Sequence, residues 1–190
     1  MLFRSPDALG STANHLKKSG WVTGQRWGYE VKLPAGYSGG SGRKNKHPMS
    51  YWSAQGLSRV DGGSLGEGAA GLMLPAGVNG PAFLVTRSFD AIYGYNASEA
   101  YGLAIAHLSD RLRGGGPIRT PWPTNDPGTN RTERAEIQSL LARRGYDVGE
   151  PDGKIGDKTR AAIADYQGRI GMARDGRAGQ KLLESLRSGR

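Results

Sequence analysis

There is no cysteine among the 190 residues, which excludes a disulfide framework, a thiolate metal site and a cysteine nucleophile, and leaves the redox compartment open. No apolar run approaches the roughly 18 residues of a membrane span, and the N-terminus lacks the apolar core of a signal peptide. Acidic residues are outnumbered, with 17 Asp and Glu against 26 Lys and Arg. The excess is even, 12 cations to 7 anions in residues 1–113 and 14 to 10 in 114–190. A nucleic-acid reader concentrates its charge on one face or in a known module, and no such block is present, so nucleic acid is not an expected partner. An anionic polymer fits the net charge of +9 as well.

Glycine is abundant, 31 residues beside 10 prolines, but the Gly-rich parts alternate with aliphatic and aromatic runs, and 36% hydrophobic content supports a real core. Ser5, Pro6 and Asp7 read as a capped helix start, followed by Leu9, Ala13 and Leu16 at helical spacing and stopped by Gly20. A helix so close to residue 1 has little before it to pack against, and further sequence upstream is expected. WGYEVKL at 27–33, AFLVT at 82–86 and AIYGY at 91–95 read as strands of a small antiparallel sheet. The twelve glycines between 36 and 80 predict loops with one or two short strands. Ala100, Tyr101, Ala104, Ile105, Leu108 and Leu112 repeat as on an amphipathic helix over 97–112.

Residues 114–132, GGGPIRTPWPTNDPGTNRT, have the composition of a linker. Beyond it, apolar spacing predicts helices at 133–144 and 158–170 and around Leu182, Leu183 and Leu186. The loops before the second and third share a D-G-x-x-G-x pattern, at 152–157 and 175–180, which hints at a pseudo-repeat. The expected fold is α+β in two parts, residues 1–113 and 132–190, joined by a linker at 114–131.

Several motifs carry less than they suggest. An EF-hand needs a carboxylate at its third position, where the 152–157 loop has Lys154, so no calcium or other metal site is read there. Gly62 to Gly66 satisfies G-x-S-x-G around Ser64, with His107 and Asp110 as imaginable partners, but its flexible polar setting is not a strand-to-helix elbow. The glycines at 39–42 likewise lack the strand-loop-helix setting of a phosphate cradle. Asn96 with Glu99 three residues on could form a capping box, and Tyr95, Asn96 and Tyr101 could equally form one wall of a sugar site, rings stacking on a pyranose while the amide offers donor and acceptor. Asp157 reads as the cap of the 158–170 helix.

EPDGKIGDKTRAAIADYQ at 150–167 resembles the three-helix type of peptidoglycan-binding domain found on bacterial cell-wall enzymes. The resemblance extends over residues 132–186 and includes Ile137 to Leu141 and Gly145-Tyr146. It implies that Asp152, Gly153, Thr159, Arg160 and Gln167 belong to the binding module, as fold-forming turn residues or as ligand contacts.

Residues 7–113 resemble the C-terminal part of the lytic murein transglycosylase B family, through DALGSTANHLKKSGW, LPAGVNGPAFLV and YNASEAYGLAIAHLSDRL. The resemblance implies part of a lysozyme-like catalytic domain in which Tyr95, Asn96 and Tyr101 line the saccharide cleft. His15 stands where the family commonly has tyrosine, able to stack on sugar or to remain a helix-surface residue. Family chemistry needs one glutamate as acid and then base, cleaving the bond between N-acetylmuramic acid and N-acetylglucosamine to a 1,6-anhydro product. That glutamate belongs to a helix upstream of DALGSTAN, and Glu30, Glu67 and Glu99 lack its context. No catalytic residue is therefore expected in this chain, which by itself should be inactive. The resemblance further implies peptidoglycan strands as partner, no cofactor, a monomer, and the periplasm or outer envelope of a Gram-negative bacterium. A non-catalytic peptidoglycan-binding protein is the alternative.

Overall fold

The computed structural model describes residues 5–189, and the capping role read for the Ser5 side chain falls outside the described set. Two units are present. Unit 1 holds the described residues up to Pro75 together with Ala82–Arg119, and unit 2 holds Ala76–Pro81 and the described residues from Thr120 onward.

In unit 1, helix α1 (Ser5–Lys18) carries Asp7 in its first turn and ends where Gly20 takes a φ of 94°. It is exposed along nearly its whole length, Leu9 by 72%, with Leu16 packed against the core. The alternating run then forms β1 (Gly28–Lys32). Between 36 and 80 come β2 (Lys46–Pro48), a short helix α2 (Met49–Ala54), β3 (Ser58–Arg59) and β4 (Ala69–Met73). The helix was not legible in the sequence. It buries Trp52, whose indole N–H donates to the Ala70 carbonyl at 2.7 Å. With β5 (Ala82–Val85) the strands form one antiparallel sheet in the order β2-β4-β5-β1-β3.

Residues 91–95 are not a strand. They lie in α3 (Arg87–Asn96), because Thr86 caps the helix by accepting the Ser88 N–H, and Phe89 and Ile92, one turn apart, both enter the core. Tertiary packing of that face overrides the β preference of the aromatic run. Ala97, at a φ of 47°, closes α3, and Ser98 opens α4 (Glu99–Leu112) by accepting the Tyr101 N–H at 3.3 Å. Ser98, not Asn96, is thus the cap of α4. The buried face of α4 is Gly102, Leu103 and Ala106, while Tyr101, Ile105, Leu108 and Leu112 point outward. Gly102 lies so close under the Phe89 ring that a Cβ there would meet it at 3.2 Å.

Unit 2 packs α5 (Arg131–Ala142), α6 (Asp157–Arg169) and α7 (Gln180–Ser188) around Ile137, Leu141, Ile163, Tyr166, Leu182, Leu183 and Leu186. Helix α5 starts with a capping box between Asn130 and Glu133. Asp157 is the first residue of α6 and not its cap. Gly156 holds the cap position without a side-chain bond, so Asp157 acts through the helix dipole. Residues 126–129 are tied to the start of α7, where Asp126 accepts the Lys181 N–H at 3.0 Å and pairs with Arg177.

Candidate functional site

Three helices of unit 1 bring their aromatic side chains into one row. His15 of α1 meets the ring of Tyr95 of α3 edge-on at 5.6 Å, and Tyr95 lies nearly parallel to Tyr101 of α4 at 6.4 Å, with 14° between planes. Tyr95 is 69% and Tyr101 38% exposed, so ring surface is open to solvent, as a sugar-stacking surface requires. Asn96 is exposed beside Tyr95 at the C-terminal end of α3. The corner between α3 and α4 creates this grouping, because the left-handed turn at Ala97 folds the second helix back on the first.

A partly buried electrostatic knot holds α3 to the sheet. Asp90, in its first turn, pairs with Arg43 and, at 3.0 Å, with Lys46. The Lys46 ammonium also donates to the carbonyls of Arg43 at 3.0 Å, Val85 at 3.2 Å and Thr86 at 3.3 Å. Burial pushes the Lys46 pKa down, and the bond to Asp90 opposes that shift. The Arg43 guanidinium covers the Tyr93 ring at 3.7 Å, so the residue two before Tyr95 is clamped by the same knot. None of these residues stood out in the sequence, since a salt bridge 47 residues apart leaves no local signal.

In unit 2 the two Asp-Gly loops are built alike. Gly153 donates its N–H to the Gln138 side-chain oxygen at 2.8 Å, and Gly176 donates to that of Gln167 at 2.9 Å. Asp152 accepts the Lys154 N–H at 2.8 Å, and Asp175 accepts that of Arg177 at 2.9 Å. The spacing-based repeat is therefore a repeat of hydrogen bonding. Thr159 and Gln167 are interior residues, each 2% exposed, whereas Asp152 and Arg160 are half-buried. Arg160 donates to the Ile155 carbonyl at 3.4 Å. Gln138, buried among the apolar positions of α5, was missed. A polar residue inside an apolar helical stripe was the available sign.

The family model of the transglycosylase SLT domain matches residues 2–110, and that of a peptidoglycan binding domain matches residues 130–186. The chain belongs to the SLT transglycosylase family. Two crystal structures of SltB3 from Pseudomonas aeruginosa, one with NAG-anhNAM-pentapeptide and one with NAG-NAM-pentapeptide, are each 46% identical to this chain, with TM-scores of 0.85 and 0.84. Each match covers 95% of this chain and 50% of that chain, so the chain spans half the length of SltB3. No curated protein matches. The mixed fold of helices and a small antiparallel sheet agrees with membership of this family.

Other features of this family member are structural. Ser64 accepts the Gly66 N–H at 3.0 Å in an exposed turn, which is no catalytic elbow. Among the described residues no group of three or more His, Asp or Glu is placed to hold a metal ion, and no helix is long and apolar enough to cross a membrane. In unit 2, Glu133 accepts the Asn130 N–H at 2.7 Å and the Gln180 amide at 2.9 Å, which holds its carboxyl below the usual range. The Lys158 ammonium does the same to Asp147, and the Lys154 N–H to Asp152. Folded pKa values below the unfolded ones give stability that is complete above about pH 4.5 and is lost as pH falls through the folded values. The melting temperature of unit 2 is thus expected to fall on acidification below about pH 4, modestly because solvent reaches and screens these groups, and less in Glu133→Gln. A melting temperature that stays level down to about pH 2.5, below the ordinary carboxylate values, would contradict this.

Proposed function

We propose that this chain holds peptidoglycan glycan strands, with the His15, Tyr95, Asn96 and Tyr101 surface as part of the saccharide cleft of a lytic murein transglycosylase and unit 2 as its substrate anchor. The carrying observation is the solvent-facing row of three rings from three helices. SltB3 has been crystallised with two disaccharide pentapeptides, which supports the same substrate class here. In this reading residues 1–113 are the catalytic-domain portion, 114–131 the linker, and 132–190 the binding domain, whose glycan contacts include Asp152 and Arg160 because, unlike the interior Thr159 and Gln167, these two keep side-chain surface open to solvent. The anchor raises the local concentration of strand at the cleft.

The reaction of the complete enzyme breaks the C1–O4 bond between N-acetylmuramic acid and N-acetylglucosamine. A glutamic acid gives its proton to the departing O4. Its carboxylate then takes the proton of the muramyl 6-hydroxyl as O6 bonds to C1, so that no water is consumed. The glutamates of unit 1 are not suited to this. Glu30 accepts the Arg119 N–H at 2.8 Å, Glu99 stands in the first turn of α4, and Glu67 is on an exposed loop. In this reading the chain alone is a binder without lytic activity, and it is a monomer of the periplasm or outer envelope.

Purified sacculi test this. The chain is expected to pellet with them and to release no 1,6-anhydromuropeptide. A double Tyr95→Ala, Tyr101→Ala variant should bind murein glycan about tenfold or more weakly, given a stacking contribution on the order of 1 kcal/mol per ring. Failure of the unaltered chain to pellet would refute the binding reading, and release of anhydro product would refute the absence of a catalytic acid.

A further inference from the structure

A cavity of about 150 Å³ opens in unit 1 beside the C-terminal end of α4, and no residue of the aromatic row lines it. Trp27, Phe83 and Ile118 supply apolar wall, while Arg26, His107 and Arg119 stand among the polar lining. The carboxylates of the lining are already engaged. Asp110 accepts the Trp27 indole N–H at 2.9 Å, Asp61 accepts Arg59 Nε at 2.9 Å, and Glu30 accepts the Arg119 N–H.

The donors are less committed. The Arg26 side chain is 59% exposed and forms only a loose ion pair with Asp110 at 3.7 Å, beyond hydrogen-bond reach, so its N–H groups can still turn to a ligand. Arg119 donates one guanidinium nitrogen to the Val60 carbonyl at 3.0 Å, leaving others available. Among the described residues His107 has no hydrogen-bond partner. Spare capacity in the cavity is therefore donor-rich beside an apolar wall, which complements a carboxylate carried on a small apolar body. The volume matches cavities that admit one small ring-sized molecule, so a single terminal residue fits and a disaccharide does not.

We infer that this cavity receives the C-terminal carboxylate of a short peptide ending in a small apolar residue, with Arg26 as the charge partner and Trp27, Phe83 and Ile118 against the terminal side chain. This rests on the peptidoglycan reading, in which the stem peptide supplies that end. Guanidinium rather than ammonium suits the task, because its planar fork meets both carboxylate oxygens.

The test is titration of the full chain with N-acetyl-D-alanyl-D-alanine, followed by amide and indole nuclear magnetic resonance signals. The Trp27 indole and Arg119 amide signals are expected to shift and saturate. The same dipeptide with its C-terminus amidated should leave them in place, and Arg26→Gln should weaken binding by about tenfold or more, the scale of one charge-assisted contact. Arg26 is mostly exposed, so this variant retains the fold, which its spectrum verifies. His107→Ala is the second variant and should weaken binding by less than Arg26→Gln does. No saturable shift at millimolar dipeptide, equal binding of the amidated form, or undiminished binding by both variants would each overturn the inference. A chain that still pellets with sacculi while failing this titration loses the peptide pocket alone. One that fails to pellet loses the broader reading.

Discussion

Asp90→Ala is expected to destabilise unit 1 by about 3 kcal/mol, the range for removing one partner of a largely buried ion pair. The carboxylate serves two cations at once. Arg43 has a side chain only 9% exposed, Lys46 is 21% exposed, and both pair with Asp90. Without Asp90, Lys46 can fall back on three carbonyls or shed its proton, since burial already pushes its pKa down. Arg43 has no such escape, because a guanidinium does not deprotonate in a protein. Asp90→Asn keeps an acceptor without the charge and should recover part of the loss. Urea unfolding followed by the buried Trp27 and Trp52 measures both variants. An Asp90→Ala protein within about 0.5 kcal/mol of the parent, the size of an ordinary surface change, would refute the role of the knot.

Gly153→Ala should cost unit 2 about 2–4 kcal/mol, combining backbone strain with collision. Gly153 has a φ of 74°, where an L side chain is strained, and a Cβ there would run into the Arg131 carbonyl and meet its Cγ at 2.7 Å. The obstacle is largely backbone at the start of α5, which cannot turn aside as a flexible side chain would. Gly149 is the control. Its φ is 70°, yet nothing lies within 4 Å of a Cβ there, so Gly149→Ala should show strain alone, about 1 kcal/mol. Thermal unfolding of unit 2 in the two variants separates strain from contact. Equal losses would show that the packing against Arg131 does not matter.

How far the sequence revealed these features depends on the range of the interaction behind each. Helices α5, α6 and α7 were visible because apolar spacing and Asp-Gly turns are local signals, and their buried leucines and isoleucines are those that the period selected. Strands β1 and β5 were visible for the same reason. At residues 91–95 the aromatic run suggested a strand, but the cap at Thr86 and the burial of Phe89 and Ile92 make it helix. In α4 the period was real while the face it marks is the exposed one, with Leu108 at 52% and Leu112 at 80% exposure. Periodicity reports that a face is apolar and is silent on what covers it.

The aromatic row was only half legible. Tyr95, Asn96 and Tyr101 are close in the chain, so their grouping at one corner could be anticipated from a turn between two elements. That His15 would approach Tyr95 is a matter of tertiary packing across 80 residues. The Arg43, Lys46 and Asp90 knot and the Gln138 clamp likewise depend on long-range contacts, which spacing alone does not encode.

The most direct measurement is a titration of the chain with a GlcNAc-MurNAc tetrasaccharide, observed at the ring signals of His15, Tyr95 and Tyr101. If the three rings form one face for sugar, their signals should move together and saturate at a common concentration. Rings that stay unperturbed while signals elsewhere in the chain saturate would show that the row is not a glycan surface.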